Sequence, residues 1–429
     1  MVTQDRTQGR PLRIVIIGAG LVGTATYIAL ARLPNVQITV YERSPGPHET
    51  GAWIAMTVSG LRVLGRMLPP VVYQRVRGIM FQGKVGIEHH HWQTGEIMAV
   101  AASPHMDTQF REGRTHRIPL HNILVSQIPA ERLHYNKEVK AVAVDKDETG
   151  RSVARLSFSD GGPDIEADLV VAADGIHSKL RRQYLPHTIP TYRGAVAYRH
   201  IFSEALVQHI PNLPAESGSW QSNFGEIAYM SRVGLGKYGF VAIVREDEKT
   251  AAALRWGHSL GQAGIDRLKR HFADWDPLVG KVVNSLPGID GYRLETAPWM
   301  ADMTRDGLIA FVGDAAHPTA GAYGGGATFG YCDAWALYRS LSSPASRGNV
   351  AQALQMYNRI RRPFLARIEM QLDFDKLNGA YVAEAAPASS PEWTRRWLER
   401  YSPHAWMLEY DVEAECQRVE TEVANKAHL

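Results

Sequence analysis

The first strong pattern along the chain is the β-branched, apolar run Leu12 to Ile17, which stops at a glycine. Such a run predicts a buried parallel strand. A helical stretch from Val22 to Leu33 follows and is closed by Pro34, and Val36 to Tyr41 then alternates as a second strand. Strand, helix and strand together have the size of a right-handed crossover unit. The middle of the chain reads differently. Short alternating runs separated by glycine-bearing turns fill Phe81 to Val100 and Tyr192 to Val244, and Gly194–Phe202, Glu226–Met230 and Tyr238–Val244 predict antiparallel strands. Leu120–Ile128 reads as a helix, Leu169–Ala173 and Leu308–Val312 as buried strands, and Ala327–Leu341 as a helix after a glycine-rich turn. Beyond Tyr357, Arg, Glu and Trp at helical spacing predict a helical flank.

This order sets the expected architecture. It is an α/β fold, with a Rossmann-like nucleotide-binding domain, a mainly antiparallel β-sheet substrate domain and a C-terminal helical region. The expected boundaries are 1–80, 105–190 and 291–375 for the discontinuous nucleotide-binding domain. The sheet domain takes 81–104 and 191–290, and the helical region 376–429. A chain of 429 residues with 45% hydrophobic and 21% charged positions can bury such a core. Its 47 basic and 44 acidic residues nearly balance, which argues against nucleic acid or an anionic membrane as partner. Two cysteines, Cys332 and Cys416, suit a reducing compartment. No signal segment or membrane anchor is read, so a cytoplasmic location is expected. The protein is expected to act as a monomer or homodimer.

The strongest local chemistry is Gly18-Ala19-Gly20-Leu21-Val22-Gly23, directly after the first strand. The first glycine permits the tight turn, the second lets a pyrophosphate approach the backbone, and the third lets helix and strand pack closely. The helix N-terminus presents free N–H groups and partial positive charge to phosphates. Glu42 ends the second strand about 20 residues on, where a carboxylate accepts hydrogen bonds from ribose hydroxyls, and Arg43 adjoins it. Dinucleotide binding follows. Gly234-Leu235-Gly236 sits in a predicted hairpin and opens no helix, so there is one such fingerprint and not two.

Two later strand ends, Asp174-Gly175 within VVAADGIHSKLR and Gly313-Asp314 within LIAFVGDAAH, complete a set of three motifs. In order and spacing this set resembles the single-component (group A) FAD-dependent aromatic hydroxylases, of the salicylate and hydroxybenzoate hydroxylase kind. The resemblance implies FAD as cofactor and NADPH or NADH as transient reductant. It also implies oxygen transfer from a flavin C4a-hydroperoxide to a small phenolic or heteroaromatic substrate, with O2 as co-substrate. It assigns Asp314 to the ribitol hydroxyls and Arg117, in HRIPLHNIL, to the diphosphate–ribitol region. Asp174 and Gly175 fall to the flavin side, assisting the nicotinamide together with Arg181. Gly324, Gly325 and Gly326, followed by Ala327, stand where relatives carry Gly-Gln-Gly and would offer backbone donors to the flavin. Gly321 replaces a proline of the family pattern, and Cys332-Asp333 stands where Glu-Asp is common. The segment Tyr357 to Pro363 resembles a later helix motif with a structural role. Epoxidation or dearomatisation by a related monooxygenase, and a flavin-fold binding protein without redox chemistry, remain open alternatives.

Substrate-facing candidates are Arg199, Tyr229 and Tyr323. Arg199, in the Tyr198-Arg199 pair on the sheet, is suited to a phenolate or carboxylate, or to a sheet-edge ion pair. Tyr229 is suited to a substrate hydrogen bond or to strand packing. Tyr323 lies in the turn beside the flavin. His317 belongs with the Gly-Asp loop as an ordering residue, and His200 is a candidate base. His89-His90-His91 lacks a completing ligand at metal spacing and reads as a surface strand edge, so no metal is expected.

Overall fold

The computed structural model describes residues 10–47, 53–84, 86–101, 110–222, 225–254, 258–319, 325–346, 348–385 and 405–426. The run Leu12–Ile17 forms β1, which pairs in parallel with β2 (Val36–Tyr41) on one side and β11 (Leu169–Ala172) on the other. Beyond them lie β7 (Leu133–His134) and β18 (Ile309–Phe311), also parallel, and the antiparallel edge strand β17 (Thr304–Arg305). The six strands are ordered β17-β18-β11-β1-β2-β7.

Helix α1 (Leu21–Leu30) connects β1 to β2 and stops three residues short of the expected end. Pro34 disfavours helical backbone at Leu33, and Asn35, at φ 51°, reverses the chain before β2. Around this sheet lie α2 (Val58–Met67), α3 (Pro70–Gly78), α4 (Arg117–Val125) and α5 (Lys179–Tyr184). Helix α4 begins earlier than its pattern predicts because Pro119 is tolerated within a first turn. One continuous core joins Ile14, Ile16, Val170 and Phe311 of the sheet to Leu61, Phe329, Leu337 and Leu365 of the helices.

The second sheet has seven strands, ordered β16-β12-β15-β14-β13-β4-β5. They are β4 (Ile87–His91), β5 (Ile97–Ala101), β12 (Thr191–Ser203), β13 (Ser217–Gln221), β14 (Ile227–Gly234), β15 (Lys237–Arg245) and β16 (Asp290–Thr296). All neighbours are antiparallel except β13 and β4. Gly234-Leu235-Gly236 is the turn joining β14 to β15. One face buries Tyr198, Trp220, Met230 and Phe240 against Ile265, Leu268, Phe272, Val279 and Val283. Those partners come from α7 (Gly261–His271), α8 (Pro277–Asn284) and the turn between them, and the short α6 (Glu248–Ala252) precedes both. This helical cover lies within the span assigned to the sheet domain, beyond the last strand predicted there, where no helix is expected from the sequence. An apolar sheet face must be covered, and the chain supplies the helices from its own insertion.

A two-stranded antiparallel ribbon, β3 (Trp53–Met56) with β6 (Gly113–His116), whose strands are far apart in sequence, bridges the two sheets. An antiparallel layer unforeseen in the sequence, β8 (Val139–Lys146), β9 (Ser152–Phe158) and β10 (Ile165–Ala167), flanks the first sheet. The described residues of the C-terminal part form helices: α9 (Gly326–Ser342), α10 (Val350–Ala385), α11 (Ala405–Leu408) and α12 (Val412–Lys426). No helix among the described residues is long and apolar enough to cross a membrane.

Candidate flavin and substrate site

Four parallel strands lie side by side as β18, β11, β1 and β2, and the chemistry predicted from sequence leaves from their carboxyl ends. Phe311, Ala172, Ile17 and Tyr41 are in register across them. The next residues along each strand lead to Asp314, Asp174, Gly18 and Glu42 respectively. At about 4.8 Å per strand the row spans about 14 Å, the scale of an extended dinucleotide and not of one small group. The carboxyl edge of such a sheet is where ligands bind in open α/β folds.

The glycine turn is built for close approach. Gly18 has φ 100°, and a side chain on Gly23 would place its Cβ 1.9 Å from the carbonyl oxygen of Gly18. Around Gly20, by contrast, an added Cβ meets nothing within 4 Å, and no side chain caps α1. The helix N–H groups there are left for an anion. The peptide between is held on both sides. Glu42 Oε2 accepts from Ala19 N at 2.8 Å, and His121 Nε2 donates to Ala19 O at 2.6 Å. Glu42 Oε1 accepts from Ser44 N at 2.8 Å, so Glu42 braces the loop while each oxygen keeps a second lone pair for ribose. His121 was not singled out from sequence. Its signal was its place four residues after Arg117, on the same face of α4. Arg43, next to Glu42, is exposed.

Asp174 Oδ2 accepts from Lys179 N at 3.0 Å, whereas Oδ1 is buried without a partner. Burial pushes the Asp174 carboxyl pKa up. Asp314 remains accessible although protein surrounds it, and desolvation raises its pKa against the pull of His317, Arg117 and Arg181. Both carboxyls therefore await hydroxyl donors, the groups that a ribityl chain and ribose provide. A Cβ on Gly326 would lie 3.7 Å from Asp314 Oδ1, so the Gly-Asp turn and the glycine-led start of α9 converge. Gly325 is the N-cap of α9 with no side-chain cap, and Gly326 and Ala327 open the helix. The residues present fit FAD, with carboxylates toward hydroxyls and bare helix starts toward phosphate and flavin oxygens. Tyr323 and Gly324 lie outside the described residues, as does Gly321.

A buried ionic triad fixes the Gly-Asp turn from behind. Asp333 Oδ2 accepts from Gly313 N at 2.8 Å and from His317 Nε2 at 2.6 Å, while Oδ1 accepts from Arg361 Nε at 2.7 Å. Asp333 and Arg361 are wholly buried, and His317 is 1% exposed. Although burial opposes ionisation, His317 and Arg361 hold the Asp333 carboxyl down at about 2. Cys332, beside it, is packed in the helix, with burial pushing its thiol up to about 12.

Arg181 requires a correction. It is fully buried and donates to the carbonyl oxygens of Asp314 at 3.0 Å, of Ala315 at 3.2 Å and of Ile176. It ties the Asp-Gly turn to the Gly-Asp turn, and its guanidinium is spent on those carbonyls and not on a nicotinamide.

Register places the substrate candidates. His89, Ser219, Tyr229, Val241, Arg199 and Asp290 are direct cross-strand partners, so they form one row on one face of the second sheet. That face meets the flavin domain, because Trp53 of the bridging ribbon stacks on Tyr229 at 5.0 Å. Arg199 is partly buried, and its guanidinium lies 3.7 Å from the ring centroid of Tyr292. Arg117, at the start of α4, is felt electrostatically by both Asp314 and Arg199, so the substrate row and the flavin edge share one neighbourhood. Arg199 is thus not at a sheet edge, since β12 lies inside the sheet.

Alternation turns the neighbours away. Tyr198 faces the helices and donates to Glu246 Oε1 at 2.6 Å. His200 shares that face, with Gly288 beside it, and this overturns its reading as a base. The histidine triplet is not a surface edge either. β4 is internal, His90 and His91 are buried, and His90 stacks on Trp220 at 4.2 Å. Burial lowers the His89 pKa to about 4, which keeps it neutral. No group of three potential metal ligands occurs among the described residues.

These features define a flavin-dependent enzyme. Residues 12–371 match the model of the FAD binding domain family, and the chain belongs to that family. Among curated proteins it is 26% identical over 432 residues to 6-hydroxynicotinate 3-monooxygenase of Bordetella bronchiseptica, covering 95% of this chain and 97% of that one. It is 24% identical to salicylate hydroxylase of Pseudomonas putida, over 83% and 84% of the two chains. The fold matches that of a salicylate hydroxylase substrate complex with TM-score 0.75 at 20% identity, over 96% of this chain and 98% of that one. Klebsiella pneumoniae HpxO complexed with FAD and uric acid matches with TM-score 0.70 at 19% identity, over 95% and 96%.

Proposed function

We propose that this enzyme uses NAD(P)H and O2 to hydroxylate a small phenolic or heteroaromatic compound; the names of its relatives indicate monooxygenation of such compounds for them. The observation that carries the reading is the row Asp314, Asp174, Gly18–Gly23 and Glu42 on one sheet edge, with the polar face of the second sheet set against it. Bound FAD supplies the reductive activation of oxygen, which no side chain can perform. The chain supplies the rest. Glu42 and the start of α1 hold the adenosine and pyrophosphate end, Asp174 and Asp314 hold sugar and ribityl hydroxyls, and Arg117 neutralises phosphate. Gly324 to Ala327 stabilise negative charge on the flavin, while Tyr229, Arg199 and Tyr323 hold the substrate ring in line and exclude water. The working division is a discontinuous flavin domain (1–80, 105–190, 291–375), a substrate sheet (81–104, 191–290) and a helical flank from 376. A cytoplasmic monomer or homodimer, without nucleic acid or membrane as partner, suits this chemistry.

The test is NAD(P)H oxidation by the FAD-loaded chain across a phenolic and heteroaromatic panel, with peroxide and product mass followed together. One compound should stimulate oxidation, consume little oxygen as peroxide and gain one oxygen atom. A purified chain that retains no FAD, or oxidation that yields only peroxide with every compound, refutes the proposal.

A further inference from the structure

Opposite Tyr229 stands a residue that sequence gave no reason to choose. Arg114 lies on β6, directly across from Ala55, and shares one face of the two-stranded ribbon with Trp53 and His116. That face is pressed onto the substrate sheet. The Trp53 indole reaches Tyr229 because Gly239 has no side chain, since a Cβ there would fall 2.6 Å from the indole. In this seam Arg114 is only 5% exposed, and its Nε donates to the Tyr229 hydroxyl at 3.1 Å.

Among the described residues no carboxylate forms an ion pair with Arg114. Glu112, two residues away, feels its charge, yet burial outweighs that attraction and raises the Glu112 pKa. A guanidinium buried without an anion is costly, and the cost is recovered when an anion with matching acceptors arrives. Tyr229, in accepting from Arg114, keeps its own hydroxyl proton to donate. Arginine and tyrosine therefore form a pair of donors suited to one oxygen anion. The row's own cation is placed elsewhere. Arg199 lies two strands from Tyr229 and rests on Tyr292 at the far side of the sheet.

We propose that Arg114, seated on Tyr229, is the residue that receives the anionic oxygen of the aromatic substrate, carboxylate or phenolate. The inference rests on the reading of this chain as an aryl-hydroxylating flavoenzyme and names the group that selects ionised substrates. It also assigns Tyr229 a second task, orienting the guanidinium through a hydrogen bond while donating to the same oxygen.

The experiment uses the FAD-loaded full chain and follows flavin absorbance as probes are added. The anionic probes are salicylate and 6-hydroxynicotinate, and salicylamide serves as the uncharged counterpart. Arg114→Ala should weaken anion binding about 10- to 100-fold, the worth of a charge-assisted hydrogen bond. Salicylamide binding should change less than about threefold, since it makes only neutral contacts there. Ethylguanidinium added to the Ala variant should restore part of the loss. Tyr229→Phe keeps the cation and should cost less than Arg114→Ala. Should the Ala variant not fold, Arg114→Lys takes its place, with weaker anion binding because a point charge lacks the planar fork. Unchanged anion binding in the variant, equal loss for anion and amide, or no response of the wild-type flavin to either anion overturns the proposal. FAD content separates the two levels. A wild-type chain without flavin refutes the enzyme reading, whereas a yellow chain indifferent to Arg114 refutes only this inference.

Discussion

Replacing Asp333 by Asn tests how the flavin-binding turn is held. Asn keeps the shape of the side chain but removes the charge and puts an NH2 where one oxygen stood. Two acceptor contacts on Oδ2, from Gly313 N and His317 Nε2, and one on Oδ1, from Arg361, cannot all survive. Arg361 is left wholly buried with its remaining hydrogen bond to Phe329 O at 3.3 Å and its position over Phe364 and Tyr410. Breaking a buried pair in this way costs about 3–5 kcal/mol. Against a total stability of about 5–15 kcal/mol that is a large share. For a chain of this length it lowers Tm by roughly 3–6 °C, from an unfolding entropy of about 2 cal/mol/K per residue. Because Gly313 precedes Asp314, the loss should reach the flavin. Thermal melts of apo and FAD-saturated protein, with FAD retention after gel filtration, measure both. The double variant Asp333→Leu with Arg361→Met removes the unpaired charge and should recover stability without recovering flavin retention. A D333N protein that melts within about 1 °C of wild type and holds FAD as tightly refutes the idea that this triad sets the turn.

Gly23→Ala should give a colourless protein, because its Cβ meets the Gly18 carbonyl at 1.9 Å and the turn must open; a yellow variant with wild-type flavin content contradicts this. Arg199→Ala should weaken substrate-stimulated NAD(P)H oxidation while flavin content stays intact, and loss of flavin would show that Arg199 serves the cofactor instead. Acid should act in two stages. The folded chain holds His89 neutral, with its pKa depressed to about 4, so the unfolded chain takes up the proton first and stability falls from about pH 6.5 to about pH 4. Asp333, depressed to about 2, contributes stability above its unfolded pKa near 3.8 that is lost as pH falls through about 2. Urea midpoints at a series of pH values test both stages. Burial depresses His91, His116 and His200 as well, so His89→Gln should make the first stage shallower and leave the second, and an unchanged first stage rejects the assignment.

Local pattern was enough for the flavin half of the site. The strand ending at Gly18, the glycine turn, the carboxylate at Glu42 and the two acidic strand ends each declare themselves within a dozen residues, because turn geometry and strand burial are short-range constraints. What those segments do together depended on register. Strand order placed Asp314, Asp174, Gly18 and Glu42 along one edge. The period of two decided that Arg199 and Tyr229 face the flavin domain while Tyr198 and His200 face the helices. The decisive polar contacts are longer in range still. His121 on the Ala19 carbonyl, Arg361 on Asp333 and Arg114 on Tyr229 join segments far apart in the chain. Residue type alone gave these side chains no distinction from any other His, Arg or Asp. Burial gave them one, because a charge or polar group removed from water must find its partner wherever the fold brings one. Short-range pattern specified which nucleotide edge this chain would build, and long-range packing chose the cations and acids that stand around it.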